Sequence, residues 1–359
     1  MTESKVPLVK LARHETYYNY WVKEEERIPV AKGYYIEDLR EIPVEPWKRK
    51  GGKGSYINLE GAEGFNDAYV AEIPPGGSLN PERHLFEEFI FVVAGRGAST
   101  IWQPNGQKQT FEWQEGSLFS PPLNTWHQEF NGSGDKPARY MAVTLAPIVL
   151  NIYRNHDFVF NSDYVFRERY SGETDFFSAK GRSAPGRIWE SNFIPDTRAF
   201  KLQEWKERGA GGSNIEFEIA NNSMVTHISE FPVGTYKKGH RHGPGAHVVL
   251  LNGTGYSLLW PEGAPRKKVD WHNFSMFVPP NQWFHQHFNT GKDPARYLAL
   301  RLGGRLGGAK GPNASSQSIK LGGNQIEYED EDREVRRLFR QECGKHGAEY
   351  EMQKFFPGD

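Results

Sequence analysis

Cysteine is all but absent: Cys343 stands alone among 359 residues. One thiol excludes an internal disulfide and every cysteine-rich zinc site, so a metal must be held by histidine, aspartate or glutamate. An excess of one charge is also missing. With 44 basic against 45 acidic residues, composition makes no electrostatic case for nucleic acid or a membrane surface, and leaves small-molecule partners. Long apolar runs are lacking too. None reaches the roughly 18 residues of a membrane span, and the opening MTESKVPLVKLARHE has no apolar stretch behind a basic end. These absences predict a soluble, cytoplasmic chain.

What is abundant points to β structure. There are 38 glycines, 23 prolines and 14% aromatics, and short apolar runs such as EEFIFVVAG and AHVVLLNG end at Gly or Asn. The chain also repeats itself. A shift of 158 residues places Gly76 on Gly234, His84 on His242, Gly95 on Gly253, Trp102 on Trp260 and Trp113 on Trp271. SPPLNTWHQEFN then falls on VPPNQWFHQHFN, and PARYMAV on PARYLAL one residue out of step. Each unit reads as several short antiparallel strands with closely spaced turns, the pattern of a barrel or sandwich. Between the units, Asp196 is placed to cap a short helix through TRAFKLQEWKER ending at Gly209. The first 60 residues read as an aromatic arm packed on a barrel. LGGRLGGAKGPNASSQ reads as a flexible linker, and EDEDREVRRLFRQEC as a terminal helix with acidic residues early and basic ones late.

The repeat resembles the cupin fold, a double-stranded β-helix barrel with a metal at its centre. The cupin pattern runs glycine, His-x-His, a carboxylate and a glycine, then a second motif of glycine, proline, His and Asn. The first unit matches with Gly76, Glu82, His84, Glu88 and Gly95, then Gly116, Pro122, His127 and Asn131; Glu82 replaces the first histidine. The second unit gives Gly234, His240, His242, Ala246 and Gly253, then Pro280, His285 and Asn289, with Phe274 at the motif glycine. HRHGPGAHVVLLNGTG further resembles the three-histidine barrel of gentisate dioxygenases and related ring-cleaving enzymes. Those carry an alanine at the carboxylate position and a His-x-His pair after Pro-Pro, matched here by FHQHFN. The layout as a whole is similar to bicupin proteins. The resemblance implies an all-β chain of two cupin barrels with a short helical connector and a C-terminal helix. The expected division is an arm (1–60), barrel 1 (61–150), a connector (151–215), barrel 2 (216–305), and a linker with the terminal helix (306–359).

Residues two apart on a strand share a face, so His240 and His242 point one way, as do His285 and His287. On the cupin reading His240, His242 and His285 form one facial set on a divalent metal with about three positions left open. All three ligands are neutral, so the metal keeps its double charge and favours an anionic bidentate substrate, with dioxygen in the last position. The first barrel offers Glu82, His84, Glu88 and His127. That set reads as a structural Mn(II) or Fe(II) site, a second active centre, or a metal-free remnant in which Glu88 and His84 pair. His287 is a candidate hydrogen-bond donor or acid toward substrate, or else a histidine satisfied by a backbone carbonyl. Trp283 is read as a pocket wall or a core residue, and Glu87, on the face opposite Glu88, as a surface residue. Ring-cleaving relatives place a substrate-binding arginine where this chain has Val248. An apolar residue cannot pair with a carboxylate, which argues against gentisate and for a more apolar substrate.

The expected activity is that of an Fe(II)-dependent dioxygenase or related oxygenase acting on a phenolic or enolic small molecule in the second barrel. Mn(II), Ni(II) or Zn(II) would suit the same ligands. The alternatives are an oxygen-independent metal-dependent lyase, decarboxylase or isomerase, and a non-catalytic bicupin that binds a small molecule or assists another enzyme. A homo-oligomer is compatible with a two-barrel layout.

Overall fold

A computed structural model describes residues 11, 15–104, 106–303 and 316–356. The chain is mainly β, and its strands fall into two pairs of sheets, each a large curved sheet faced by a three-stranded one. In the first pair, Asp67–Ile73, Ala138–Thr144 and Glu88–Ala94 run side by side and antiparallel, facing the small sheet Trp126–Asn131, Arg96–Trp102 and Gln109–Gln114. In the second pair, Met224–Phe231, Ala295–Leu302 and His247–Asn252 face Lys267–Trp271, Gly255–Trp260 and Phe284–Asn289. Most glycines that recur in the repeat serve turns, but Gly255 serves packing. A Cβ there would lie 2.0 Å from the Phe288 carbonyl oxygen and 2.6 Å from the Trp271 ring, so only glycine lets that indole lie across the strand. Phe274 takes the place of the motif glycine Gly116 and keeps its left-handed turn, at φ 66° against 90°. A β-carbon in that region costs on the order of 1 kcal/mol; Phe274 is buried and stacked under Arg40, 4.7 Å from its guanidinium carbon.

The arm and the connector do more than drape the barrels. Tyr35–Ile36, from the arm, pairs with Met276–Phe277 of the second barrel, while Gly52–Leu59 joins the first-barrel sheet. Phe193–Ile194, from the connector, pairs with Leu118–Phe119 of the first barrel. Each large sheet therefore has an edge covered by a strand from outside its repeat, which removes an aggregation-prone edge. The helix expected over 197–208 does not form. Asp196 instead accepts from the Arg198 backbone and guanidinium, and the carbonyls of Thr197 and Phe200 are taken by Arg296 rather than by amides four residues on. Gln203–Glu204 pairs with Ser213–Asn214, leaving only the 3₁₀ turn Lys206–Arg208 before Gly209. The terminal helix spans Arg333–His346, capped by Asp332 and ended by Gly347 at φ 69°. It packs on the second barrel through Phe339, whose ring lies 5.0 Å from Tyr236. The glycine-rich linker falls mostly outside the described residues. Among the described residues, no helix is long and apolar enough to cross a membrane.

The two barrels meet through the outward faces of their large sheets. Phe89 and Phe91 share one apolar cluster with Val249, Leu251, Met276 and Leu298, all buried. Glu87 belongs to this junction and is not a surface residue. It is 6% exposed and accepts from the backbone of Ser223 and Met224, the Ser223 hydroxyl and Arg169. Strand parity placed it correctly, on the face away from Glu88, but that face is covered by the other barrel. Glu87→Ala would strand these donors and the Arg169 charge, so urea unfolding should show a loss of about 3 kcal/mol. A change below about 1 kcal/mol would show that the clamp is dispensable.

Candidate metal centres of the two barrels

Two groups of side chains converge inside the barrels. His240, His242 and His285 each offer a ligand atom within 4.8 Å of the others, and so do Glu82, His84, Glu88 and His127. In the second barrel, His240 is bridged to His285 across the strand pair, and their ring centroids lie 4.2 Å apart; His242 and His285 are 4.6 Å apart. The Nδ1 atoms of His240, His242 and His285 face the carbonyls of Lys238, Gly243 and Trp283 at 3.3, 2.8 and 3.2 Å. That arrangement fixes each ring and turns its Nε2 to the shared centre. Burial holds His242 down to about 4 and pushes His240 and His285 well below the usual histidine range, helped by neighbouring cationic groups, so all three are neutral at neutral pH. His242 is only half-buried, so the set opens toward solvent. Behind it, the C-terminal segment straps the ligand strand: Ile326 donates to the Gly239 carbonyl and Arg241 to that of Asn324.

The first barrel is sealed and charged. His84 donates through Nδ1 to Phe86 O at 2.8 Å and His127 to Thr125 O at 3.1 Å. Their Nε2 atoms, and Oε1 of Glu88, are buried without a hydrogen-bond partner among the described residues. His84 Nε2 lies 3.4 Å and His127 Nε2 3.7 Å from that Glu88 oxygen. Three orphaned acceptor atoms aimed at one point are costly unless a cation lies between them, so His84, Glu88 and His127 fit a divalent metal. Tyr69 fixes the other Glu88 oxygen at 2.8 Å. Burial raises Glu88, but His84, Lys50 and His127 outweigh it and hold the carboxyl at about 2. Glu82 is in different company, since its two oxygens are already held by Lys50 and Arg49. It lies 3.6 Å from His127 Nε2 and belongs to the cluster, with its charge already balanced.

Residues 69–144 match the cupin domain family, and the second half repeats that unit. The chain has the two-barrel cupin fold. Among solved structures it is similar to the oxalate decarboxylase of Lactobacillus farciminis, in complex with formate, at 13% identity and a TM-score of 0.51, over 75% of this chain and 86% of that one. A second oxalate decarboxylase, described for its substrate binding mode and a reaction-specificity switch, aligns at 13% identity and a TM-score of 0.50, over 84% of this chain and 87% of that one. Identities this low carry the fold alone.

The cupin barrels also hold residues that sequence reading passed over. Arg49 and Lys50 sit in WKRKGGKGS of the arm expected to pack on a barrel; only the closed barrel shows that Lys50 is buried against Glu82. Glu129 is the counterpart of His287 under the repeat shift, and that correspondence was available in HQE against HQH. It is buried with neither oxygen hydrogen-bonded among the described residues, and burial raises its carboxyl above the ordinary range despite His127 and Lys50. His287 is satisfied by a hydroxyl and not by a backbone carbonyl: Nδ1 lies 2.8 Å from Ser257 Oγ, which accepts from Trp271 Nε1 at 3.0 Å. Its ring stands 5.6 Å from that of His285. Val248 is buried among Leu250, Leu259, Phe277 and Tyr297, and the partly buried Trp283 packs against the same cluster.

Proposed function

We propose that this cupin is a metal-dependent oxygenase acting on a phenolic or enolic small molecule in its second barrel. The observation that carries the reading is the convergence of three neutral imidazoles, His240, His242 and His285, with no carboxylate among them and with access from solvent at His242. A divalent metal held there, Fe(II) for oxygen chemistry, would polarise an oxygen-chelating substrate and supply electrons to dioxygen. The protein's residues do the rest. Neutral ligands leave the cation's charge uncompensated, so the site selects anionic oxygens over neutral ones. Val248, Leu259 and Phe277 exclude water from the barrel interior. His287, anchored through Nδ1 by Ser257, keeps Nε2 available to orient substrate or deliver a proton. In the first barrel, His84, Glu88 and His127 would hold Mn(II) or Fe(II) in a sealed, structural role.

A second reading, an oxygen-independent decarboxylase or lyase, draws on the same His287. A carbanion left by bond cleavage needs a fixed proton donor and no dioxygen. The test is oxygen uptake by protein loaded anaerobically with Fe(II) and offered catechols, salicylates, hydroquinones and diketones. The oxygenase reading expects oxygen consumption matching product. Turnover at an unchanged rate after oxygen is removed would transfer the assignment to the second reading, and absence of metal from His240, His242 and His285 would overturn both.

A further inference from the structure

Aligned by the 158-residue shift, the two repeats leave one buried lysine, Lys237, without a carboxylate partner among the described residues. Glu82 falls on His240, Glu88 on Ala246 and Glu129 on His287, so every carboxylate at the centre of the first barrel is replaced in the second. The buried ammonium is not lost. Lys50 Nζ lies 3.3 Å from Tyr140 Oη in the first barrel, and Lys237 Nζ lies 3.3 Å from Tyr297 Oη in the second. Tyr140 and Tyr297 are counterparts in PARYMAV and PARYLAL, but the lysines are not: Lys50 precedes the first-barrel strand Gly52–Leu59, and Lys237 precedes His240 by three residues. Both barrels thus present a lysine Nζ to the same tyrosine, delivered from different points of the chain.

The two ammonium groups differ in what answers them. Lys50 is ion-paired with Glu82. Lys237 is fully buried, and its partners among the described residues are the Tyr297 hydroxyl and the ring faces of Tyr297 and Phe231, at 4.9 and 5.5 Å. Burial, with Arg208 nearby, pushes it well below the ordinary lysine range. A buried lysine without an anion resists carrying its proton, and a barrel lined by histidines does not supply the anion that would hold the charge there. The position is close to the candidate metal centre: Tyr297 stands 5.2 Å from His287, which stands 5.6 Å from His285. Lys237 also donates its backbone N–H to the His287 carbonyl.

We propose that the second barrel takes a substrate that brings its own carboxylate, separate from its metal-chelating oxygens, and that this carboxylate pairs with Lys237 Nζ and Tyr297 Oη as Glu82 pairs with Lys50. The proposal rests on the metal-dependent reading of this barrel and narrows its substrate class. It also revises the expectation drawn from Val248. The arginine missing at that position does not make the site apolar, because the cation enters from Lys237.

Two probes separate the two ideas: catechol, and 3,4-dihydroxybenzoate, which adds a carboxylate across the ring from the same oxygen pair. Binding to the full-length protein loaded with Zn(II) is measured by calorimetry, with zinc content determined in parallel. Wild type is expected to bind 3,4-dihydroxybenzoate about 10- to 100-fold more tightly than catechol, as a charge-assisted buried pair implies. In Lys237→Met and Lys237→Gln that preference should fall to within about twofold, with catechol affinity and zinc content unchanged. Equal affinities in wild type overturn the proposal whether or not the variants fold, and so does a preference that survives in a folded, zinc-replete variant. Zinc content and catechol binding that are unmoved by His242→Ala would instead overturn the metal reading.

Discussion

Replacing His242 by alanine should strip the metal from the second barrel and lower its turnover by at least about 10³-fold, the equivalent of several kcal/mol of Lewis-acid stabilisation. The size of the effect follows from the donor set. Three imidazoles converge within 4.8 Å, and no described carboxylate belongs to that set to replace a lost ligand. His242 is also the most accessible of the three, so its removal disturbs packing least. Metal analysis of wild type and His242→Ala, each in a His84→Ala background that empties the first barrel, isolates the second site. Unchanged stoichiometry with retained turnover would show that these histidines are not the ligands. His285→Ala should lose metal equally, but at a larger cost in stability, because that ring is 2% exposed and braced by the His240 strand.

The first barrel should show its metal in stability. In a His242→Ala background, a divalent metal at about 100 times its dissociation constant should stabilise the fold by roughly 2.7 kcal/mol. That corresponds to a rise of about 3 to 4 °C in the unfolding midpoint of a chain of this length. Glu88→Gln should abolish the rise. The amide keeps the shape of the carboxylate but cannot neutralise the cation, and its N–H2 can donate to His84 Nε2 or His127 Nε2 in the cation's place. Calorimetric scans with and without Mn(II) check this directly. An equal rise in Glu88→Gln would mean that the stabilising metal lies elsewhere, and no rise in either protein would leave the sealed cluster as a metal-free remnant.

The two predictions depend on different kinds of legibility. The repeat, the turn glycines and the His-x-His spacing are local in sequence, and strand parity converts them into side chains sharing an interior face. His240, His242 and His285 were therefore readable as one set, as were Glu82, His84, Glu88 and His127. Glu87 shows the limit of the same rule. Parity gave its face correctly, yet whether that face meets water or a second barrel depends on how two sheets dock. The helix expected after Asp196 failed for a similar reason. Its cap was sound, but Arg296, a hundred residues on, took the carbonyls that a helix needs.

By itself, the sequence determined that this is a duplicated all-β chain, that cysteine takes no part in its sites, and that the two sites have diverged in charge, because periodicity and residue chemistry act over a few neighbours. Only the tertiary structure decided where the neutralising charges lie. Lys50, from a basic run, closes onto Glu82, while Lys237, beside the opening of the three-histidine motif, closes onto Tyr297 with no carboxylate among the described residues to meet it. Ion pairing depends on distance through space and on exclusion of water, and the folded barrels set both.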